Sequence, residues 1–275
     1  MHSSQTYPSD LTEDEWNLLE PLIPKPKPGG RPIKHTRRKI LNAIFYLHRT
    51  GCQWSMLPKD FPPKSTVFDG FSAWRKSGLW VELNHRLRVM VRVADGRKPS
   101  PTAAILESQS VKAAGQGGEA IGYDAGKKIG GRKRHILVDV PGMVLGVCVT
   151  SASVQDRDGA VTLLASLYLL FGRLQIIWAD SGYAGALVVW VKGLRPFGKL
   201  HLDIVRRSDD AKGFQLVRKR WIVERTFSWF YKSRRLSRDY EKRVDHSESH
   251  IYVCMCRLML KRLTKNSPYD FPDAL

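Results

Sequence analysis

The sequence predicts a mixed α/β sheet with helices on its faces, preceded by a small all-helical domain. Apolar residues recur at helical spacing over the first third of the chain. Strand-like and helical runs then follow in the order β, β-β, α, β, α, β, α. We therefore expect a helical domain at 1–95, a linker at 96–102, a sheet domain at 103–265 and a tail at 266–275.

The first two helices have clear start and stop residues. Thr12 and Glu15 form a capping box, and Thr36 stands before a second helix that stops at Gly51. The proline-rich stretch between them, Pro24–Pro32, can be neither a helix nor a central strand. It predicts a basic, semi-extended arm.

Two further helices complete the helical domain. A short helix stops at Gly78, and a longer one begins at Leu79, with three arginines expected largely on its outer face: Arg86, Arg88 and Arg92. This arrangement is compatible with a helix-turn-helix DNA reader. A plain packing or dimerisation domain gives the same periodicity and is the alternative.

The second domain changes to strand-like spacing. One apolar run leads into Glu107, and a later one ends in Asp180. Between them, a hairpin with a Pro141-Gly142 turn is predicted from residue 134 to residue 149. A long basic helix is expected over 217–236. This order is typical of a mixed sheet covered by helices.

The charge of the chain favours a nucleic-acid partner. Its 275 residues include 45 Lys and Arg against 26 Asp and Glu, a formal net charge of +19 with a pI near 10.0. A positive field of this strength attracts polyanions. Tryptophans within the periodic segments argue against a disordered basic tail. A ribosome-associated or simply basic protein is the alternative.

The sequence also restricts the compartment. It has no apolar run of the roughly 18 residues that a membrane span needs, and its first residues are polar. We expect a cytoplasmic, nucleoid-associated protein that does not bind membranes. The cysteines lack zinc-like spacing and are expected to be reduced and buried: Cys52, Cys148, Cys254 and Cys256.

Three acids stand where such a sheet would bring carboxylates together. Glu107 and Asp180 would share one edge if their strands run parallel, and Glu224 would tilt toward that edge from the basic helix. Three carboxylates can hold two divalent ions about 4 Å apart, which act on a phosphodiester. Taken singly, Asp180 is also a normal turn residue, and Glu224 a normal intrahelical partner of Arg220.

Seven short motifs are distinctive: Pro28–Pro32, Thr50–Trp54, Ser108–Lys112, Gly122–Lys128, Gly131–Asp139, Trp178–Tyr183 and Glu224–Phe227. Taken in order, they resemble the bacterial insertion-sequence transposases with a DDE catalytic triad, in the compact branch named for insertion sequence five. The resemblance runs from Trp16 to about Leu263.

The resemblance implies both a fold and an activity. The fold is ribonuclease-H-like, and the cofactor is Mg²⁺ or Mn²⁺, bound as two ions. The activity is transposition of the family's own element, with recognition of its terminal inverted repeats and DNA strand cleavage and transfer. The implied catalytic residues and metal ligands are Glu107, Asp180 and Glu224.

The first triad position departs from the family pattern. The family has Asp before Ser-Gln-Ser, whereas this chain has Glu107. One extra methylene moves the carboxylate by roughly 1.5 Å, and productive sites tolerate about 0.5 Å. We therefore expect this copy to be catalytically weak or inactive while it still folds and binds DNA. Asp139 is not expected to substitute, because a strand antiparallel to the first places the turn beside it at the far end of the sheet from the other acids. Asp124, Asp156 and Asp158 are closer alternatives that the spacing does not require.

A basic loop from Lys127 to Arg134 leads into the hairpin and is expected at the catalytic edge. Its glycines and lack of acids favour a phosphate clamp, although such charge runs are usually just solvated. The candidate DNA-binding residues are Lys127, Lys128, Arg132, Lys133, Arg220, Arg225, Arg234 and Arg235.

Two functions follow from these patterns. The first is a transposase that acts on double-stranded DNA, at the element ends and at the target. The second is a catalytically inactive DNA-binding remnant that represses its element. A metal-dependent nuclease of other purpose is disfavoured by the helical N-terminal domain. Because joining two ends requires two active sites, we expect a homodimer on DNA.

Overall fold

The computed structural model describes residues 7–25, 34–114, 118–194, 200–205 and 220–264. Most of the predicted basic arm and the whole of the predicted tail lie outside these ranges. The N-terminal helices are α1 (Glu13–Leu19), α2 (Arg37–Thr50), α3 (Lys64–Lys76) and α4 (Leu79–Ala94).

The predicted helix signals are confirmed in α1 and α2. Thr12 and Glu15 make both hydrogen bonds of the capping box at the start of α1. Thr36 Oγ1 accepts from Lys39 N at the start of α2. That helix ends where Gly51 takes a left-handed conformation with φ of 71°, which glycine adopts without a side-chain clash.

The described residues after position 95 form one sheet of six strands with four α-helices. The strands are β1 (Ala103–Lys112), β2 (Gly122–Asp124), β3 (Ile129–Asp139), β4 (Val144–Ser151), β5 (Ile176–Ala179) and β6 (His201–Ile204). The helices are α5 (Asp156–Leu167), α6 (Ala186–Gly193), α7 (Arg220–Tyr231) and α8 (Val244–Thr264).

The sheet is mixed, as predicted. β3 runs antiparallel to β1 on one side and to β4 and β2 on the other. β1, β5 and β6 run parallel to one another. The Pro141-Gly142 hairpin joins β3 to β4, and Gly142 adopts a positive φ of 86° in the turn. This is the ribonuclease-H-like arrangement that the sequence resemblance implies.

Two hydrophobic cores lie on opposite faces of the sheet. On one face, α5 and α6 cover Leu106 of β1 and Leu137 of β3. On the other, Ile105 and Ile136 belong to a core that also includes residues of α7, α8 and the four N-terminal helices. The N-terminal helices therefore share a core with the sheet, and the domain boundary near residue 95 stays a prediction.

Helix α4 packs inward more completely than its sequence suggests. Asn84 Nδ2 donates to Val144 O at 2.9 Å, and Arg92 Nη1 donates to Asp139 Oδ2 at 2.8 Å. Arg88 is buried with its guanidinium 5.0 Å from the Phe171 ring centroid. The expectation of outward arginines is correct for Arg86 and wrong for Arg88 and Arg92, because their partners come from the sheet domain.

The predicted basic loop is mostly strand. Residues 129–134 belong to β3, and Arg132 and Lys133 are buried, so neither presents its charge to a phosphate. Arg132 pairs with Asp239 at 3.0 Å, and its other bonds go to the main-chain oxygens of Glu119, Glu241 and Lys242. The phosphate-clamp expectation is therefore wrong for Arg132 and Lys133. Lys127 and Lys128, before the strand, are exposed.

The expectation for the cysteines is correct in part. All four cysteines are free thiols; Cys254 and Cys256 are buried as expected, whereas Cys52 and Cys148 are only half-buried. Asp139 lies at the far end of β3, paired with Arg92 in the core, and so does not substitute for Glu107. No helix in the described ranges combines the length and apolar character that crossing a membrane requires.

Replacement of Arg132 tests its internal role. Arg132→Ala leaves the Asp239 carboxylate buried without its cation, so we expect the free energy of unfolding to fall by about 3–5 kcal/mol. Urea denaturation measures the change. The control is Lys127→Ala, an exposed charge for which we expect a change within about 0.5 kcal/mol. Unchanged stability with weakened DNA binding in Arg132→Ala would restore the phosphate-clamp interpretation.

Buried histidines make the fold sensitive to acid. Burial, more than any neighbouring charge, lowers the pKa of His135 to about 4. Its Nε2 lies 2.9 Å from Thr150 Oγ1. The unfolded chain takes up this proton below about pH 6.5 and the folded chain does not, so stability falls as the pH drops from about 6.5 toward 4.

We expect wild-type protein to lose up to about 3 kcal/mol more stability than His135→Leu over this range. Urea denaturation at a series of pH values gives both profiles. Comparing them isolates His135 from Glu248, whose pKa is raised by burial to about 7 and which acts in the opposite sense. Parallel profiles would contradict the prediction.

Candidate active site

Two of the three predicted acids follow neighbouring parallel strands. The register pairs Ile105 of β1 with Trp178 of β5, and Glu107 and Asp180 each lie two residues further along. Asp180 caps a short 3₁₀ turn, where its Oδ1 accepts from Gly182 N at 2.9 Å. The strands therefore run parallel as predicted and bring these acids to matching positions at one edge of the sheet.

Helix α7 covers the same face of the sheet as Glu107. Side chains alternate along β1, and Ile105 and Gln109 share a face with Glu107. Ile105 belongs to the core that includes α7, and Gln109 Nε2 donates to Tyr231 Oη at 3.4 Å. Glu224 lies two turns before Tyr231 on the same side of α7 and is exposed.

Contacts with the hairpin turn fix the other part of α7. Thr226 Oγ1 donates to Gly142 O at 2.8 Å, and Arg225 Nη2 donates to Pro141 O at 2.9 Å. A Cβ on Gly142 would lie 3.0 Å from both Thr226 Oγ1 and the Trp229 ring, so the turn requires glycine for close approach as well as for its positive φ.

The predicted long basic helix is shorter than expected. α7 ends at Tyr231, Ser233 is extended, and a separate 3₁₀ turn covers Arg234–Leu236. Arg235 therefore does not share a helix with Glu224. It is buried and pairs with Glu241 at 2.6 Å, so its expected role in DNA binding is wrong. Arg234 is exposed. Residues 217–219 and the Arg220 side chain lie outside the described part of the chain.

The opposite face of the sheet carries a second polar group, centred on Lys133. Its Nζ lies 2.9 Å from Asp156 Oδ1 and 3.4 Å from Asp124 Oδ2. Burial opposes ionisation of Asp124, yet hydrogen bonds from Ser110 and Lys127 together with Lys133 lower its pKa to about 2. Both acids are thus committed to Lys133 and do not supply a replacement for Glu107.

Tyr183 lies close to the acids in the chain, and the sequence patterns predict no role for it. It is fully buried just after Asp180. Burial first, then the charges of Glu107, Asp156 and Asp180, raise its pKa well above the usual value. The hydroxyl therefore stays protonated between acids that repel further negative charge. The motif Trp178–Tyr183 predicts a role only for Asp180.

The three acids are not gathered into a closed cage. Among the described residues, no group of three or more His, Cys, Asp or Glu side chains could hold a metal ion. Glu107 Oε1 instead accepts from the adjacent Ser108 N at 3.1 Å. The site therefore consists of two carboxylates at one sheet edge and a third, exposed, on the helix beside them.

Comparisons with known proteins agree with this geometry. Residues 11–84 match the family model described as "Putative transposase of IS4/5 family", and residues 98–260 match the model "Transposase DDE domain". No solved structure matches.

Curated relatives point the same way. The chain is 28% identical over 142 residues to the "Putative transposase for insertion sequence element IS402" of Burkholderia cepacia, covering 49% of this chain and 65% of the relative. It is 32% identical over 116 residues to an uncharacterized 16.2 kDa protein of the same element, covering 39% of this chain and 76% of that relative. It is also 27% identical over 85 residues to the uncharacterized protein y4sN of Sinorhizobium fredii, covering 31% of this chain and 66% of that relative.

The DDE match alone spans more than half of the chain and includes the core beneath α5 and α6, the six strands of the described residues and the three acids. The chain belongs to the IS4/5 family of DDE transposases.

Proposed function

We propose that this chain binds the terminal inverted repeats of its own element and catalyses metal-dependent DNA strand cleavage and transfer. The observation that best supports this is the position of Glu107 and Asp180. They follow parallel neighbouring strands at matching positions, on the face covered by the helix that carries Glu224.

The chemistry of the acids fits a divalent metal. Carboxylate oxygens are the ligands that Mg²⁺ and Mn²⁺ prefer. Glu107, Asp180 and Glu224 would hold two such ions, which polarise a phosphodiester and activate a water or a 3′-hydroxyl when bound. Tyr183, packed on the opposite face of the sheet with α5 and α6, keeps its proton and so adds no further anion near the acids.

Exposed cations around this edge are proposed to hold the DNA. Lys127 and Lys128 stand in solvent before β3, and Arg234 stands in solvent after α7. With Arg220 of α7, they would neutralise phosphates of the bound strand. Arg225 is half-buried and donates to Pro141 O at the hairpin turn, so it does not belong to this exposed set. The partner is double-stranded DNA, at the element ends and at the target, so the protein would act at the nucleoid in the cytoplasm.

A second function is favoured by the geometry of Glu107. Its carboxylate folds back to accept from Ser108 N, and its side chain is one methylene longer than the family's Asp. Productive sites tolerate displacements of only about 0.5 Å. The alternative is therefore an inactive copy that still occupies element ends and represses transposition.

Restoring the family's acid tests catalysis. The assay is Mn²⁺-dependent cleavage of DNA that carries the flanking element ends. We expect Glu107→Asp to cut up to about 100-fold faster than wild type, because misplacement by about 1 Å can cost that factor. We expect Glu224→Ala to abolish cleavage in either background. The control is Asp95→Ala, which removes an exposed acid at the end of α4.

Each other outcome has a distinct meaning. Cleavage by wild type as fast as by Glu107→Asp would show that the Glu serves as a full ligand and would remove the case for impairment. If neither protein cleaves the DNA although both bind the ends, the proposal of a three-carboxylate site is overturned. We also expect a homodimer on two ends, and sedimentation that shows only monomers on end DNA would contradict it.

A further inference from the structure

A basic cleft lies on the α7 face of the molecule, away from the three acids. It has a volume of about 620 Å³ and is walled by α2, by α8 and by the end of α7. Five cationic side chains line it: Arg49, Lys232, Arg234, Arg257 and Lys261. The described residues that line it include no Asp or Glu. A cleft of this size holds a ligand larger than a single ion.

Contacts with neighbouring segments, to main-chain oxygens and to one carboxylate, hold two of these cations in place. Arg49 Nη1 donates to Lys232 O at 2.7 Å, which joins α2 to the end of α7. Arg257 of α8 pairs with the buried Glu15 and donates to Asp10 O at 3.2 Å. The cleft therefore forms where α2, the end of α7 and α8 meet. These contacts fix the positions of Arg49 and Arg257 in its walls.

The cations in the cleft repel one another. Partial burial and the neighbouring charge of Arg49 lower the pKa of Lys232. Burial and the charges of Arg257 and Arg49 lower the pKa of Lys261, against the opposing effect of Glu15. Like charges brought together in this way cost free energy, and a bound anion relieves that cost.

Helix α7 leads from the acids to this cleft. Glu224, Ser228 and Tyr231 are exposed along one side of α7, and Tyr231 also lines the cleft. Seven residues separate Glu224 from Tyr231, which is about 10 Å along a helix. That length corresponds to about three nucleotides of one strand.

We propose that this cleft binds the phosphodiester backbone of the DNA strand, about three nucleotides from the phosphate that lies at the acids. The inference rests on the proposed function. It adds Arg49 of α2 and Lys261 of α8 to the DNA-binding surface, neither of which belongs to a motif of the sequence resemblance. The site would hold the strand by charge alone, without reading its sequence.

The salt dependence of DNA binding tests the cleft. The variant is Lys232→Gln with Lys261→Gln, and binding to an element-end duplex is measured by fluorescence anisotropy over a range of salt concentrations. If both cations meet phosphates, the slope of log K against log salt becomes shallower by about 1.8. The matched control is Arg173→Gln, an exposed charge before β5, at the opposite end of that strand from Asp180. Its slope should equal that of wild type.

Thermal melting of the double variant excludes a folding defect. Because neither lysine side chain is buried, we expect a Tm close to that of wild type. A lowered Tm with an unchanged slope would assign the lysines a purely structural role and overturn the proposal. The slope could instead stay at the wild-type value while wild type binds pyrophosphate and the variant does not. That result would show that the cleft binds a free phosphate compound and not the DNA strand, and it would overturn the proposal. Wild-type protein that binds no DNA at any salt concentration would overturn the proposed function itself.

Discussion

The buried pairing of Arg132 with Asp239 holds together the parts of the molecule that carry the three acids. Arg132 lies on β3, the strand beside β1, and Asp239 lies in the segment between α7 and α8. A buried ion pair stabilises a fold only when its remaining donors and acceptors are satisfied. Here main-chain carbonyls and Ser247 complete the set. The end of α7 is thereby fixed over β1, as Thr226 fixes its other part over the hairpin turn.

The helices and strands could be predicted from the sequence because their causes are local. Apolar runs, the Pro141-Gly142 turn and the capping residue Thr36 each act within a few positions. The contacts of the charged residues could not be predicted, because their partners are distant in the sequence. Arg132 and Asp239 stand 107 positions apart, and Arg92 and Asp139 stand 47 apart. A run of basic residues in the sequence therefore does not show whether it forms a buried strand or an exposed loop.

The candidate site divides in the same way. Glu107 and Asp180 could be placed together because acids that follow parallel strands meet at one edge. The position of Tyr183 depends on packing around α5 and α6, which no spacing encodes. The end of α7 at Tyr231 was also missed, because Ser233 leaves the helix to bond His48 of α2, 185 positions earlier. Arg235 then turns inward to Glu241 and not along the helix.

The core that the N-terminal helices share with α7 and α8 has a mechanical consequence. Packed interiors are stiff, so helices joined through one core move as a single body. DNA held by the N-terminal helices would then meet the acids at a constant separation. The dimensions of the protein would then set the distance between the recognised sequence and the cut. That distance would not depend on the length of a flexible linker.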